Sequence, residues 1–272
     1  MIGAALARHA EISGMRVVCT SRRARPGMMS IDLAQPASLW EIPDAVDVAF
    51  LCAGMTSVPD CRSRPEAAYT INVERTWELA HRLTASGAFV VFPSSNRVFD
   101  GSVPRQRVDA PVCPMTVYGQ TKAAIEQQLR TLGQNVAIVR FTKILAPEPA
   151  LITGWKLAIG QGRPVRPFVD MGFAPVSQSR AVSSLLRVGR MRIGGTLQAS
   201  ATNDISYADA CRWVAGALRC PTTHIQPISW RSTGADYEHV PQHTTLDTSS
   251  LELACGFVAP TPYESLQEVI CL

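Results

Sequence analysis

The chain is predicted to fold as an α/β protein, a doubly wound parallel sheet carrying a smaller C-terminal lobe. Three observations predict it. Over the first two-thirds, short β-rich runs alternate with segments whose apolar residues recur every three or four positions, the pattern of βαβ units. Beyond about residue 146 that alternation is interrupted by Pro147, Pro149, Pro164, Pro167 and Pro175. With 46% hydrophobic and 18% charged residues over 272 positions, there is apolar material for a large core and none of the polar bias of a disordered chain.

In order, 2–12 reads as an amphipathic helix with no strand before it. β-rich runs follow at 16–21, 46–52, 88–93 and 136–141, and helical patterns at 65–85 and 117–132 lie between them. Right-handed crossovers between such runs wind the sheet in both directions. After residue 146, 196–201 reads as one further strand of the main sheet, 207–218 as a helix, and 260–269 as a closing helix with Pro262 and Ser265 near its start. The expected division is a sheet domain over 1–146, joined by the strand at 196–201, and a lobe over most of 147–272.

Composition excludes several classes. Net charge is +4, and the 26 Lys and Arg residues form no run, so nucleic acid is not an expected partner. The longest apolar stretch, 45–55, contains Asp47 and is too short to span a bilayer, so no membrane segment is expected and the protein reads as cytoplasmic. Cysteines 19, 52, 61, 113, 211, 220, 255 and 271 include no C-x-x-C pair and read as core thiols in a reducing compartment. His239 and His243 are four apart, but Pro241 between them opposes a shared helical face, so no metal site is expected.

The strongest local signal is Val117-Tyr118-Gly119-Gln120-Thr121-Lys122, because Tyr and Lys four apart on a helix share a face. An ammonium near a phenol favours the phenolate and brings a group of pKa about 10 toward working pH, so that it can exchange a proton with a carbonyl or alcohol. The same spacing also arises by chance on exposed helices. Upstream, the apolar run from Phe89 ends in Pro93-Ser94-Ser95-Asn96-Arg97, placing hydroxyls at a strand's carboxyl end, where open α/β sheets bind ligands. Ser and Asn there also suit an ordinary turn.

Together these residues resemble the extended short-chain dehydrogenase/reductase superfamily, and within it the dTDP-4-dehydrorhamnose reductase-like, sugar-nucleotide-binding branch. The likeness covers nearly the whole chain. Met1-Ile2-Gly3 resembles the end of a G-x-x-G-x-x-G turn, with Gly3 as the third glycine. Asp32-Leu33 resembles the acidic-apolar pair beside the adenine, Cys52-Ala53-Gly54 the N-A-A/G segment, and Asn72 the asparagine of the following helix. Ser94 to Gly101 resembles S-T-D-Y-V-F-D-G and aligns Ser95 with the catalytic Ser/Thr, while Tyr118 and Lys122 align with the catalytic pair. Leu246 to Leu251 resembles a late L-x-T-S-K-L element, followed by Gly256 and the closing Thr261 to Leu266. Only Gly3 of the glycine turn is present and no strand precedes it, so the expected fold is a Rossmann-like domain truncated at its N-terminus, as in a fragment or a chain begun at an internal start codon.

The resemblance implies NADP-dependent reduction of a 4-keto, nucleotide-activated sugar in polysaccharide or antibiotic-sugar synthesis. Tyr118 would protonate the keto oxygen, Ser95 would hold it, and Lys122 would bind the nicotinamide ribose and tune Tyr118. Ser21-Arg22-Arg23 stands where an NAD enzyme carries an acid for the ribose hydroxyls; two guanidiniums suit a 2′-phosphate, so NADP is expected with NAD as the alternative. Asn96 and Lys143 are the further candidates for substrate contact, Lys143 standing where the rhamnose reductases have tryptophan. Asn96-Arg97 after Ser95 departs from the acid pair of the dehydratases. Two alternatives remain: a non-catalytic NADP-binding regulatory subunit, since the branch resembles that of methionine adenosyltransferase, and a sugar-nucleotide epimerase. A homodimer is compatible with each.

Overall fold

A computed structural model describes residues 2–23 and 25–270. Met1, the first residue of the proposed glycine-turn remnant, and Cys271, one of the eight thiols, lie outside the described residues. Helix α1 (Ile2–Ile12) is followed by strands β1 (Thr20–Ser21), β2 (Met29–Ser30) and β3 (Val48–Phe50), then helices α2 (Val58–Ser63) and α3 (Pro65–Tyr69). A π-helical turn over Thr70–Arg75 joins α3 to α4 (Thr76–Ala85). Next come β4 (Phe89–Ser95), α5 (Val117–Arg130), β5 (Val136–Phe141), β6 (Lys143–Leu145) and α6 (Ala150–Gly160). The remaining elements are β7 (Gly172–Phe173), β8 (Pro175–Ser177), α7 (Gln178–Met191), β9 (Gly195–Ala199), β10 (Ile205–Ser206), α8 (Tyr207–Ala217), α9 (Ser249–Cys255) and α10 (Pro262–Ile270).

The chain divides into two compact units. The first comprises Met1–Asp100, Pro111–Arg140 and Val182–Leu197, and the second comprises Gly101–Ala110, Phe141–Ala181 and Gln198–Leu272. A four-stranded sheet of order β3-β4-β5-β9 carries the first unit, with β3 and β4 parallel and Val48, Ala49 and Phe50 in register with Phe89, Val90 and Val91. Its central strands are buried on both faces and read as continuous apolar runs, FVVF and VAIVRF, because helices cover a parallel sheet from both sides. The core beneath one face gathers Val90, Phe92 and Ile138 from the sheet with Leu79, Leu83, Ile125 and Leu129 from α4 and α5.

The predicted strand at 16–21 is shorter than expected. Only Thr20–Ser21 joins a ladder, as a separate parallel pair with β2, and β3 forms an edge of the four-stranded sheet. A parallel strand has no hairpin to hold it and exists only where a neighbour supplies hydrogen bonds, so β-propensity alone does not set its length. The predicted helix at 65–85 is present but passes through the π turn, and helix 117–132 ends at Arg130. Among the helices outside the predicted set are α2, opened by Ser57 whose hydroxyl accepts from Asp60 N, the amphipathic α7, and the short α9.

The second unit holds two small sheets, β6 with β8 in parallel and β7 with β10 antiparallel. Its core packs Ile152, Trp155 and Ile159 of α6 with Val214 of α8 and Leu266 of α10. Gly162, at φ +66°, ends α6 as a helix stop, and Asp170 closes a turn by accepting from Trp230 N at 2.9 Å and Arg231 Nη1 at 3.0 Å.

Of the thiols expected in the core, Cys61, Cys211 and Cys255 are buried, whereas Cys113 is exposed in the segment leading into α5. Among the described residues no His, Cys, Asp and Glu side chains cluster to hold a metal ion, and no helix is long and apolar enough to cross a membrane.

Candidate active site

Strand β4 and helix α5 place the three central side chains in the first unit. β4 ends at Ser95, whose hydroxyl accepts from Arg97 N at 3.2 Å and so starts the tight turn Asn96–Val98. α5 begins after Thr116, whose hydroxyl accepts from Gly119 N at 3.1 Å as an N-cap. Gly119 makes their contact possible: a Cβ there would stand 2.2 Å from the carbonyl oxygen of Arg97. Without a side chain, the first turn of α5 lies directly on the backbone that follows Ser95, which brings the Tyr118 phenol within reach of the Ser95 hydroxyl.

One turn further along α5, Lys122 is buried, 8% exposed, and its Nζ donates to the carbonyl of Pro93 at 3.1 Å. That ammonium stands 4.2 Å from the Phe92 ring centroid and 5.9 Å from that of Tyr118. Burial pushes Lys122 down to about 8, opposed first by Glu126 and then by Cys52 and Cys61. Burial also pushes Tyr118 up to about 12, against the Ser95 hydrogen bond and the Arg97 charge. Desolvation is thus the leading influence on both groups.

The other candidates of the first unit sit around the carboxyl end of β3. Cys52, Ala53 and Gly54 follow that strand, and a Cβ at Gly54 would lie 2.9 Å from Asn72 Oδ1. Asn72, 4% exposed, clamps this segment, its Oδ1 accepting from Met55 N at 2.7 Å and its Nδ2 donating to Met55 O at 2.9 Å. The same Nδ2 reaches Thr121 Oγ1 on α5 at 3.2 Å, tying the clamp to the helix that carries Tyr118 and Lys122. Burial pushes the Cys52 thiol up to about 11, with Lys122 opposing.

Gly3 packs α1 against this segment, since a Cβ there would stand 3.3 Å from that of Cys52. A glycine serves the same close helix–strand packing in dinucleotide-binding turns. At the end of β1, Ser21 Oγ accepts from Arg23 N at 3.4 Å, and Arg22 and Arg23 are exposed. Asp32 accepts from Ala34 N through Oδ1 and from Trp40 Nε1 through its carbonyl, while Leu33 is buried. Lys143 belongs to the second unit, where its Nζ donates to Tyr207 Oη at 3.3 Å and lies 5.8 Å from the Phe173 ring centroid.

The sequence reading passed over two groups that hold this arrangement. One is Thr121. The other is Glu126, fully buried, which accepts from Ser94 Oγ at 2.6 Å and from Arg140 Nη2 at 2.7 Å. The signal for Glu126 was its spacing, since it follows Tyr118 and Lys122 at the same four-residue step along α5.

Ser95, Tyr118 and Lys122 meet where β4 ends against the first turns of α5, at the carboxyl end of a parallel sheet, and the fold is that of the extended short-chain dehydrogenase/reductase class. The chain belongs to the family described as "RmlD substrate binding domain", which matches residues 1–271. Among curated proteins it is 27% identical over 271 residues to methionine adenosyltransferase 2 subunit beta of Pongo abelii, covering 91% of this chain and 77% of that one. Among solved structures, dTDP-4-dehydrorhamnose reductase from Yersinia enterocolitica superposes with a TM-score of 0.85 at 19% identity, over 100% of this chain and 95% of that one. The dTDP-4-dehydrorhamnose reductase from Bacillus anthracis str. Ames, in complex with NADP, matches with a TM-score of 0.75 at 21% identity over 82% and 80% of the two chains.

Proposed function

We propose that the protein is an NADP-dependent reductase of a 4-keto, nucleotide-activated sugar. The observation that carries this reading is the convergence of Tyr118 and the buried Lys122, one turn apart on α5, with the strand end that carries Ser95, Lys122 donating to the Pro93 carbonyl at 3.1 Å and lying 5.9 Å from the Tyr118 ring centroid. Reduction of a ketone needs a proton donor at the oxygen, and a phenol can supply it.

The residues present fit a dinucleotide. Gly3 and Gly54 let α1, the Cys52–Met55 segment and Asn72 pack closely, as in a dinucleotide-binding turn, and Arg22 and Arg23 are exposed at the end of β1. Gly3, Cys52, Ala53 and Gly54 would border the cofactor, Asp32 and Leu33 its adenine, and Asn72 supports the segment on which it lies. Ser21, Arg22 and Arg23 would take the 2′-phosphate, and Lys122 the nicotinamide ribose. Bound NADPH supplies the hydride. Tyr118 gives its proton to the keto oxygen, so that the carbonyl becomes a hydroxyl, while Ser95 and Asn96 hold that oxygen and the adjoining sugar. Lys122, as an ammonium, stabilises the phenolate left on Tyr118. Lys143 would meet a phosphate or a sugar carboxylate.

The likeness to a methionine adenosyltransferase subunit, at 27% identity over 91% of the chain, favours a second reading as a cofactor-binding regulatory subunit. Thermal unfolding with and without NADPH tests what both readings share: at 100 times its dissociation constant, a ligand of the native state adds about 2.7 kcal/mol, and no shift would remove both. NADPH oxidation against a panel of 4-keto nucleotide sugars then separates them. Consumption supports the reductase; a shift without consumption, with copurification of a partner enzyme, supports the subunit. Replacing Arg22 and Arg23 together by alanine is expected to weaken NADPH about tenfold or more and to leave NADH unchanged, because only the former carries a phosphate for the guanidiniums. Equal loss for both cofactors would contradict the assignment.

A further inference from the structure

Two turns beyond Tyr118 and one beyond Lys122, Glu126 forms a buried polar cluster in the first unit. Its Oε1 accepts from Ser94 Oγ at 2.6 Å and from Arg140 Nε at 3.0 Å, and its Oε2 accepts from Arg140 Nη2 at 2.7 Å and Arg130 Nη2 at 2.9 Å. Neither Glu126 nor Arg140 reaches solvent beyond 1% of its side chain. A buried ion pair of this kind is poorly explained by stability, since apolar residues of like volume commonly serve as well. Its placement suggests a different purpose. Ser94 immediately precedes Ser95 on β4, and Lys122 donates to Pro93, so consecutive residues of the strand end are pinned to α5 at successive turns.

We propose that Glu126 is a positioning residue for the reductase triad. Through Ser94 it locks the strand end that carries Ser95 to the helix that carries Tyr118 and Lys122, and its carboxylate stands one turn from Lys122 on that helix. The inference rests on the reductase reading of the same site. The groups that bear on Lys122 are Tyr118 and Glu126 from α5, the Phe92 ring and Pro93 carbonyl from β4, Cys52 after β3, and Cys61 from α2. Glu126 is the one carboxylate in this set.

The test compares wild type, Glu126→Gln and the double variant Glu126→Gln/Arg140→Met, the last removing the buried guanidinium that the single variant leaves without its carboxylate. Both variants are expected to lower kcat about tenfold with little change in KM, and to move the alkaline limb of kcat/KM toward acid by about one pH unit as Lys122 loses its proton earlier. If the cluster only props the fold, the double variant recovers the wild-type limb and kcat, and the proposal fails. Should the single variant not fold, the double variant carries the comparison alone.

A second readout needs no turnover. The unfolded chain binds the Lys122 proton up to its ordinary pKa of about 10.5 and the native state releases it earlier, so stability from this group rises with pH through that window. Losing the Glu126 charge opens the window lower, and the variants should gain stability relative to wild type between about pH 7 and pH 8. Introducing Lys122→Met into each protein should abolish that gain. Parallel stability curves overturn the proposal whether or not a substrate is found, whereas a displaced curve with no turnover of any keto sugar overturns the reductase reading alone.

Discussion

A Tyr118→Phe variant is expected to lose about 10²- to 10⁴-fold of ketone-reducing turnover, the range that a positioned general acid contributes, while NADPH affinity stays within about twofold. The substitution keeps the ring that packs beside Lys122 and removes only the hydroxyl within reach of Ser95. The pH profile of the wild type adds a second check. Because burial pushes Tyr118 up to about 12, the donor form persists across the ordinary range and Tyr118 does not set the alkaline limb. Lys122, pushed down to about 8, does. Activity should therefore fall as pH rises through about 8, where the ammonium is lost. Turnover by the phenylalanine variant within about tenfold of wild type would assign the proton to another group.

The largest expected effect on stability is at Arg140. Arg140→Ala is expected to lower the free energy of unfolding by about 3–5 kcal/mol, measured by urea denaturation, because it leaves the buried Glu126 carboxylate without its main counter-ion and also removes the guanidinium lying 4.9 Å from the Phe99 ring centroid. Arg130 offers only partial compensation, since its side chain is 44% exposed and its charge is screened by water. A loss below about 1 kcal/mol would contradict a buried pair whose carboxylate depends on this arginine.

How far residues alone foretell such a molecule depends on where the information lies. Strand β5 was readable to the residue because VAIVRF is buried on both faces, and α1 because its apolar stripe is continuous. The run at 16–21 was not, since a parallel strand takes its length from its neighbour, and only Thr20 and Ser21 have one in β2. Helix α7 escaped notice because Gln, Ser and Arg dominate its first turn and dilute an apolar stripe of Val182, Leu185 and Val188 that is fully buried. Within the site, the spacing of Tyr118 and Lys122 announced a shared face, and the family likeness brought Ser95 beside it. What spacing cannot convey is solvation. The same four-residue step that suggests mutual tuning places both groups where desolvation outweighs their influence on each other. Glu126 lay on that face in plain view, but its meaning depends on Ser94 and Arg140, which come from two different strands.

The π turn over Thr70–Arg75 amounts to one residue too many in an otherwise α-helical path, and Thr76 Oγ1 fills the widened turn by donating to Ile71 O at 2.9 Å. An α-helix advances about 100° of rotation per residue, so that extra residue sets the phase between Asn72 and the apolar face of α4. Asn72 points at the Met55 backbone while Leu79 and Leu83 point into the core, and a regular helix of the same length would satisfy only one of the two. A homologue that drops a single residue between 70 and 75 would have to surrender either the Asn72 clamp on Met55 or the packing of α4, which makes this turn a place where chain length itself is under chemical constraint.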